Sequence, residues 1–194
     1  MKSVKVNERR TAKVSLEKVV LWATAILIIG SGSAVAQQNL RDLAKEYGAD
    51  WLAGRWTAKT NDGTEIQLVY RWELEGHLVT VDFKMGEYAS RGMIFYVPDE
   101  EKATAVSIDN RGGISKGTWE VQDGKLVSKS ERVDPEGNVQ KSAAVYSKVD
   151  AKTIKIALYG LNQYGELNDE PWGSMDFKRQ VRKAVKKTDK QTSK

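Results

Sequence analysis

The sequence TEIQLVYRWEL, residues 64–74, alternates apolar and polar side chains along its whole length. One face of this segment carries the apolar side chains, which are Ile66, Leu68, Tyr70, Trp72 and Leu74. A two-residue period of this kind predicts a β-strand that buries one face and leaves the other in solvent. The segment therefore needs an apolar interior that other parts of the chain must supply.

Nine further segments resemble residues 64–74, and turn-forming residues separate them at intervals of about a dozen residues. The ten predicted strands are 54–60, 64–74, 77–85, 88–97, 102–109, 113–121, 125–133, 138–149, 152–160 and 174–180. A meander of ten strands leaves two unpaired edges unless the sheet closes. We therefore predict an all-β fold, an up-and-down antiparallel barrel of about 8–10 strands. The alternative is a sandwich, although its crossovers need long connections and the chain has one, residues 161–173.

A short amphipathic helix is predicted before the first strand, over residues 39–52. Its apolar stripe consists of Leu40, Leu43, Tyr47 and Trp51, spaced three or four residues apart. Asn39 is a suitable N-cap and Gly54 ends the segment. Because this stripe leads directly into the first strand, we expect the helix to pack at the end of the barrel.

Short motifs at the two ends of the predicted barrel carry a resemblance to a known superfamily. Gly54-x-Trp56 opens the first strand, and Phe177-Lys178-Arg179 lies on the last. With the preceding helix and the meander, this pattern resembles the calycins, which include lipocalins, fatty-acid-binding proteins and ten-stranded nitrobindin-like barrels. Over residues 39–180 the chain is most similar to exported bacterial lipocalin-like domains of unknown function.

The resemblance implies structural roles for Trp56 and Arg179. In calycins the tryptophan of the first strand lies across the closed end of the barrel, and a basic residue of the last strand packs over it. Physical chemistry supports the same arrangement, because Gly54 permits close backbone approach and an arginine can stack on an indole while it donates to carbonyls. The alternative is that Trp56 contacts a ligand.

The two ends of the chain have compositions that differ from the rest. Residues 1–36 contain six basic side chains and an apolar run at 19–29, followed by the small residues Ala34 and Ala36. These features predict a signal peptide cleaved after Ala36, and hence an exported protein, periplasmic or secreted. The apolar run is shorter than the roughly 20 residues of a spanning helix, so we expect no permanent membrane span, with a retained anchor as the alternative.

The positive charge of the chain is concentrated at its ends. The net charge is +5, but residues 37–180 contain 19 basic and 23 acidic side chains. This predicted barrel domain therefore lacks the cationic face that nucleic-acid binding requires. Residues 181–194 are predicted to form a basic disordered tail, with attraction to an anionic surface as the alternative.

Five residues of the predicted strands are candidates for ligand binding. Tyr70, Trp72 and Phe83 are large side chains on predicted inner faces. His77, the only histidine, is expected to face inward at one rim, either as a haem ligand or proton-transfer group or as a hydrogen-bonded structural residue. Arg91 either points into the barrel, where it would bind a carboxylate, or outward, in which case Ser90, Gly92, Ile94 and Tyr96 form the inner face.

The chain has no cysteine and none of the common catalytic or nucleotide-binding motifs. We therefore expect a non-enzymatic protein without a metal site or a cofactor. The alternative is a haem-binding protein or a barrel enzyme that uses His77, but the resemblance argues against haem, since nitrobindin-like barrels carry the ligand histidine on late strands. The leading hypothesis is a barrel that binds a small apolar or amphipathic molecule. The other is a filled barrel that acts as a structural or interaction domain of the cell envelope.

Overall fold

The computed structural model describes residues 39–181, which contain the predicted helix and all ten strands. The predicted signal peptide and most of the predicted tail lie outside the described residues. The strands are β1 (Gly54–Lys59), β2 (Glu65–Glu73), β3 (Leu78–Met85), β4 (Tyr88–Val97), β5 (Lys102–Asp109), β6 (Ile114–Gln122), β7 (Lys125–Val133), β8 (Val139–Lys148), β9 (Thr153–Gly160) and β10 (Gly173–Arg179).

The ten strands form one closed antiparallel barrel, in which each strand pairs with its neighbours in sequence and β10 pairs with β1. The prediction of an up-and-down barrel is confirmed, and the sandwich alternative is wrong. Because the barrel is closed, none of these ten strands has a free sheet edge. The β6–β7 turn shows how tightly the strands connect, because Asp123 and Gly124 both adopt positive φ, as in a two-residue hairpin loop.

The helix α1 (Leu40–Glu46) is shorter than the predicted segment 39–52. Asn39 caps it as predicted, since its side chain accepts a hydrogen bond from the Asp42 amide at 2.9 Å. Gly48 then adopts φ +62°, and the chain continues through a 3₁₀ turn at Asp50–Leu52. The predicted apolar stripe is only partly buried, since Leu40 is buried and Leu43 and Trp51 are half-buried, but Tyr47 is 59% exposed. Two short elements joined at a left-handed glycine present these residues, rather than one helix.

The barrel has two distinct ends. At the helix end, α1 precedes β1 and short turns connect β2 to β3, β4 to β5, β6 to β7 and β8 to β9. At the loop end lie the other connections, including the longest one, residues 161–172. The buried core is concentrated at the helix end and contains Trp56, Leu68, Tyr70, Ile94, Tyr146, Ile154 and Phe177.

Candidate functional site

A tryptophan and an arginine lie against each other where β1 meets β10. The Trp56 side chain is 1% exposed, and its indole nitrogen donates to the Leu52 carbonyl at 2.8 Å. The guanidinium carbon of Arg179 lies 4.1 Å from the centroid of the indole ring. Arg179 also donates to the carbonyls of Ala53, at 2.8 Å, and Trp51. The cluster therefore links the first and the last strand of the barrel to the segment that follows α1.

Gly54 makes this cluster sterically possible. Its φ is +140°, which only glycine adopts readily. A Cβ atom at this position would lie 2.4 Å from an Arg179 guanidinium nitrogen. Any other residue at position 54 would therefore displace the arginine from the tryptophan ring.

A pocket of about 720 Å³ opens at the helix end, between α1 and the inner wall of the barrel. Leu40, Leu43 and Leu52 form its outer side. The inner side is strongly aromatic and includes Tyr70, Trp72, Tyr96 and Trp119, with Val79, Ile94, Ala103 and Leu126 between them. The volume is within the range of small-molecule sites, roughly 300–1,000 Å³.

Three aromatic side chains from different strands meet across the barrel, and two of them, Tyr70 and Trp119, line this pocket. The rings of Tyr70 and Trp119 are 6.3 Å apart in an edge-on arrangement, and those of Trp119 and Tyr146 are 5.0 Å apart. The Tyr70 and Tyr146 hydroxyls lie 3.4 Å apart. We call these three residues the aromatic layer.

Burial raises the pKa of both tyrosines of the aromatic layer. For Tyr70, burial and the neighbouring Tyr146 hydroxyl raise the pKa well above its usual value. For Tyr146, burial raises the pKa although hydrogen bonds with Tyr70 and Ser128 lower it. Both phenols are therefore protonated at neutral pH, so the aromatic layer carries no charge.

The charged residues that line the pocket are restricted to its rim. They are Glu46, Glu101, Lys102 and Glu120. Among residues 39–181, Lys102 is the one cationic side chain in the lining, which includes no arginine. The inner part of the site is therefore apolar and uncharged.

The predicted ligand-binding residues do not all lie at this pocket. Tyr70 and Trp72 line it, as their positions on the inner face of β2 predict. Phe83 is also inward, but it lies toward the loop end and packs edge-on against Tyr88 at 5.8 Å. Whether any of these residues binds a ligand stays a prediction.

His77 and Arg91 lie outside the barrel interior. The expectation that His77 faces inward is wrong, because it precedes β3, follows the 3₁₀ turn Leu74–Gly76 and is exposed. Arg91 is 78% exposed and pairs with Asp82 at 2.6 Å on the outer surface. Of the two faces considered for β4, the structure places the one with Ile94 and Tyr96 inside.

Three residues of the site were not singled out from the sequence, namely Tyr96, Trp119 and Tyr146. All three follow the two-residue alternation of their strands, and the closed register brings them to the level of Tyr70. The alternation identifies inward residues, but only the register shows which of them meet across the barrel.

A second polar cluster lies at the loop end, around Asp109. Its carboxylate accepts hydrogen bonds from Arg132 Nε at 2.8 Å, from the amides of Arg111 and Gly113 at 2.9 Å, and from the Tyr88 hydroxyl at 3.2 Å. Burial opposes ionisation of Asp109, but the hydrogen bonds from Arg132 and the two amides outweigh it and lower the pKa to about 2. The cluster is an ionised, fully hydrogen-bonded pair.

Within residues 39–181, no group of acidic or histidine side chains has the arrangement of a metal site. No helix in the same part of the chain is long and apolar enough to span a membrane.

The chain was compared with protein-family models and with curated protein sequences. It matches no family model and no curated protein.

Proposed function

We propose that this protein is an exported, non-enzymatic binding protein, which holds a small apolar or amphipathic molecule in the pocket under α1. We further propose that it belongs among the lipocalin-like calycins. Support for this membership comes from the closed barrel and the Trp56–Arg179 stack, together with the motifs that carried the resemblance. Support for export comes from the predicted signal peptide.

The observation that carries the binding proposal is the pocket of about 720 Å³ with an aromatic wall. Tyr70, Trp72 and Trp119 present large apolar surfaces to this space, and water in contact with such surfaces is unfavourable. A filled barrel would have no such space. The geometry therefore favours a hollow helix end over a filled one.

The charge distribution favours a ligand that is neutral where it is buried. A carboxylate in the pocket would need a cationic partner, because moving an unpaired charge from water into an apolar site is costly. The one cation of the described lining, Lys102, lies at the rim. We therefore expect neutral apolar molecules to bind more tightly than fatty-acid anions of similar size, unless the anion keeps its charged group at the rim.

A titration with N-phenyl-1-naphthylamine, a neutral fluorescent probe, tests this proposal on residues 37–194. We expect saturable 1:1 binding with blue-shifted emission, and weaker binding of 1-naphthoate, its anionic counterpart. In Ala103→Trp the new side chain would fill the pocket, because Ala103 lines it, and binding should fall at least about tenfold, or ~1.4 kcal/mol.

The matched control is Ala157→Trp, which adds the same side chain on the outer face of β9, opposite Ser174. This variant should bind like the wild-type chain. Absence of saturable binding in the wild-type chain, or equal loss in both variants, would contradict the proposal.

A second candidate function, an envelope interaction domain, has one observation in its favour. Ile108, Ile114, Val133 and Val139 are all exposed on the outer wall, and they lie opposite one another in register across β5 to β8. A continuous apolar row is a feature of binding surfaces. Haem binding through His77 has no comparable support, since this residue is exposed and does not line the pocket.

A further inference from the structure

The tryptophans of the barrel interior differ in whether the protein supplies an acceptor for the indole N–H group. Trp56 Nε1 donates to the Leu52 carbonyl at 2.8 Å, so this donor is satisfied within the fold. Within residues 39–181, the Nε1 atoms of Trp72 and Trp119 have no hydrogen-bond partner, and both side chains line the pocket under α1. An indole nitrogen can donate a hydrogen bond but cannot accept one. The pocket therefore contains two donors that the fold itself does not satisfy.

The Trp119 donor is accessible from inside the pocket. In the described part of the chain, every fully buried side-chain nitrogen or oxygen atom has a hydrogen-bond partner. Because Trp119 Nε1 has no partner and the residue is half-buried, this atom is not enclosed by protein. The ring lies inside the barrel, 6.3 Å from the Tyr70 ring and 5.0 Å from the Tyr146 ring. The space that reaches the nitrogen is therefore the pocket and not the outer surface.

Small side chains flank Trp119 on both neighbouring strands. Ala103 of β5 and Ser128 of β7 lie opposite it in register. Ala103 also lines the pocket, and the Ser128 hydroxyl hydrogen-bonds to Tyr146. A ligand can therefore approach the indole ring without displacing a large side chain.

The polar side chains of the pocket provide little competition for the indole donors. Among residues 39–181, the lining includes no aspartate, asparagine or glutamine, and its glutamates lie at the rim. The Tyr70 hydroxyl lies 3.4 Å from the Tyr146 hydroxyl, so these two groups have each other as partners. The inner part of the pocket therefore has more donors than acceptors for hydrogen bonds.

We propose that the pocket selects neutral ligands that carry a hydrogen-bond acceptor, such as the carbonyl oxygen of a ketone or an ester, next to an apolar body. Trp119 Nε1 donates to this oxygen, while the rings of Tyr70 and Trp72 contact the apolar body. This inference rests on the proposed binding function and names the chemical class of the ligand within it. A hydrocarbon of the same shape would leave the indole N–H unpaired, which costs on the order of tenfold in affinity.

A pair of nearly isosteric naphthalenes tests this inference on residues 37–194. 2-Acetylnaphthalene has a carbonyl oxygen where 2-isopropenylnaphthalene has a methylene group. Displacement of N-phenyl-1-naphthylamine gives both affinities. The ratio of ketone to hydrocarbon affinity should fall about tenfold in Trp119→Phe, which keeps an aromatic ring but removes the donor. Differences in hydration between the two compounds cancel, because they are the same for both proteins.

The indole N–H resonances of the ¹⁵N-labelled wild-type chain give a second readout that needs no variant. The Trp119 indole proton should move downfield with the ketone and not with the hydrocarbon. Because the two compounds carry the same aromatic rings, the difference between the two shifts reports the hydrogen bond.

Two further variants make the same substitution elsewhere. Trp172→Phe, at a residue that is 68% exposed and does not line the pocket, should leave the affinity ratio unchanged. Trp72→Phe removes the other unpartnered donor of the pocket, and a larger fall in the ratio here than in Trp119→Phe would overturn the role of Trp119.

The outcomes separate this inference from the proposed function. If both compounds displace the probe but the ratio is unchanged in Trp119→Phe, or the indole shifts are equal, the inference is overturned and the proposed function stands. If neither compound displaces the probe, both are overturned.

Discussion

The helix end and the loop end of the barrel interior use the same strands but opposite chemistry. At the helix end, tryptophans, tyrosines and isoleucines fill or line the interior, and α1 covers part of the opening. At the loop end, serines line it and an ion pair links Asp109 of β5 to Arg132 of β7, across β6. The comparison shows that the two-residue alternation along a strand determines which side chains point inward. Their position along the strand determines whether they belong to the aromatic and aliphatic end or to the serine-lined end.

This contrast predicts that stability resides mainly at the helix end. Trp56→Ala should lower the free energy of unfolding by about 3–5 kcal/mol, because it removes a buried indole and leaves a cavity. Urea denaturation measures the change. Trp172→Ala is the control, since Trp172 is 68% exposed and should cost little.

The contribution of the Trp56–Arg179 contact itself comes from a double-mutant cycle with Arg179→Ala. Since the two side chains touch, the double variant should lose less stability than the two single variants together. Simple additivity would mean that the stack contributes nothing and that the helix end is held by other contacts.

A pair of glycines at the two ends sharpens the comparison further. Gly54 and Gly63 both have positive φ, but a Cβ would collide with Arg179 only at Gly54. Gly63→Ala should cost about 1–2 kcal/mol from backbone strain alone. Gly54→Ala should cost more, about 2–5 kcal/mol, because steric displacement of Arg179 adds to the strain. Equal losses in denaturation would contradict the assigned role of Gly54.

At the loop end we predict that the contribution of Asp109 to the free energy of unfolding depends on pH in the acidic range. The folded pKa of Asp109, about 2, lies below its unfolded value, so ionisation favours the folded state above pH ~4. This contribution should disappear as the pH falls from about 4 to about 2. Asp109→Asn cannot ionise, and its unfolding free energy should fall less steeply over that range than that of the wild-type chain.

Exposed Asp176→Asn serves as the control for this acid series and should retain the wild-type slope. Identical slopes for wild-type and Asp109→Asn would show that the ion pair does not stabilise the loop end.

The smallest expected effect concerns His77. Because this side chain is exposed and does not line the pocket, His77→Ala should not change the absorption spectrum obtained when hemin is added. A sharp, saturable Soret band in the wild-type chain that is lost in the variant would contradict the proposed function and favour a haem protein.

Most of the fold could be predicted from the sequence, because ten amphipathic segments separated by short turns have few ways to bury their apolar faces. The errors occurred where that signal is weak. In β4, Met93 and Phe95 face outward while Ile94 and Tyr96 face inward, so apolar residues on both faces left the phase of Arg91 open. His77 was assigned to β3, but the turn at Glu75, with φ +55°, extends the connection through it.

The candidate site was less predictable than the fold. Tyr70 and Trp72 were identified because they follow the clearest alternation in the chain. Trp119 and Tyr146 were not, because their proximity to Tyr70 depends on the register of all the strand pairs from β2 to β8. A single sequence carries no direct signal for such distant pairing.

The most direct test of the central claim is a crystal structure of residues 37–194 soaked with 1-bromonaphthalene, whose bromine is located by anomalous scattering. The claim is that the barrel holds an apolar molecule between α1 and the layer of Tyr70, Trp119 and Tyr146. We predict one principal bromine peak in that space, within contact distance of Trp72 or Trp119. A principal peak on the outer wall beside Ile108 and Ile114, or on the loop-end side of the aromatic layer, would contradict the claim.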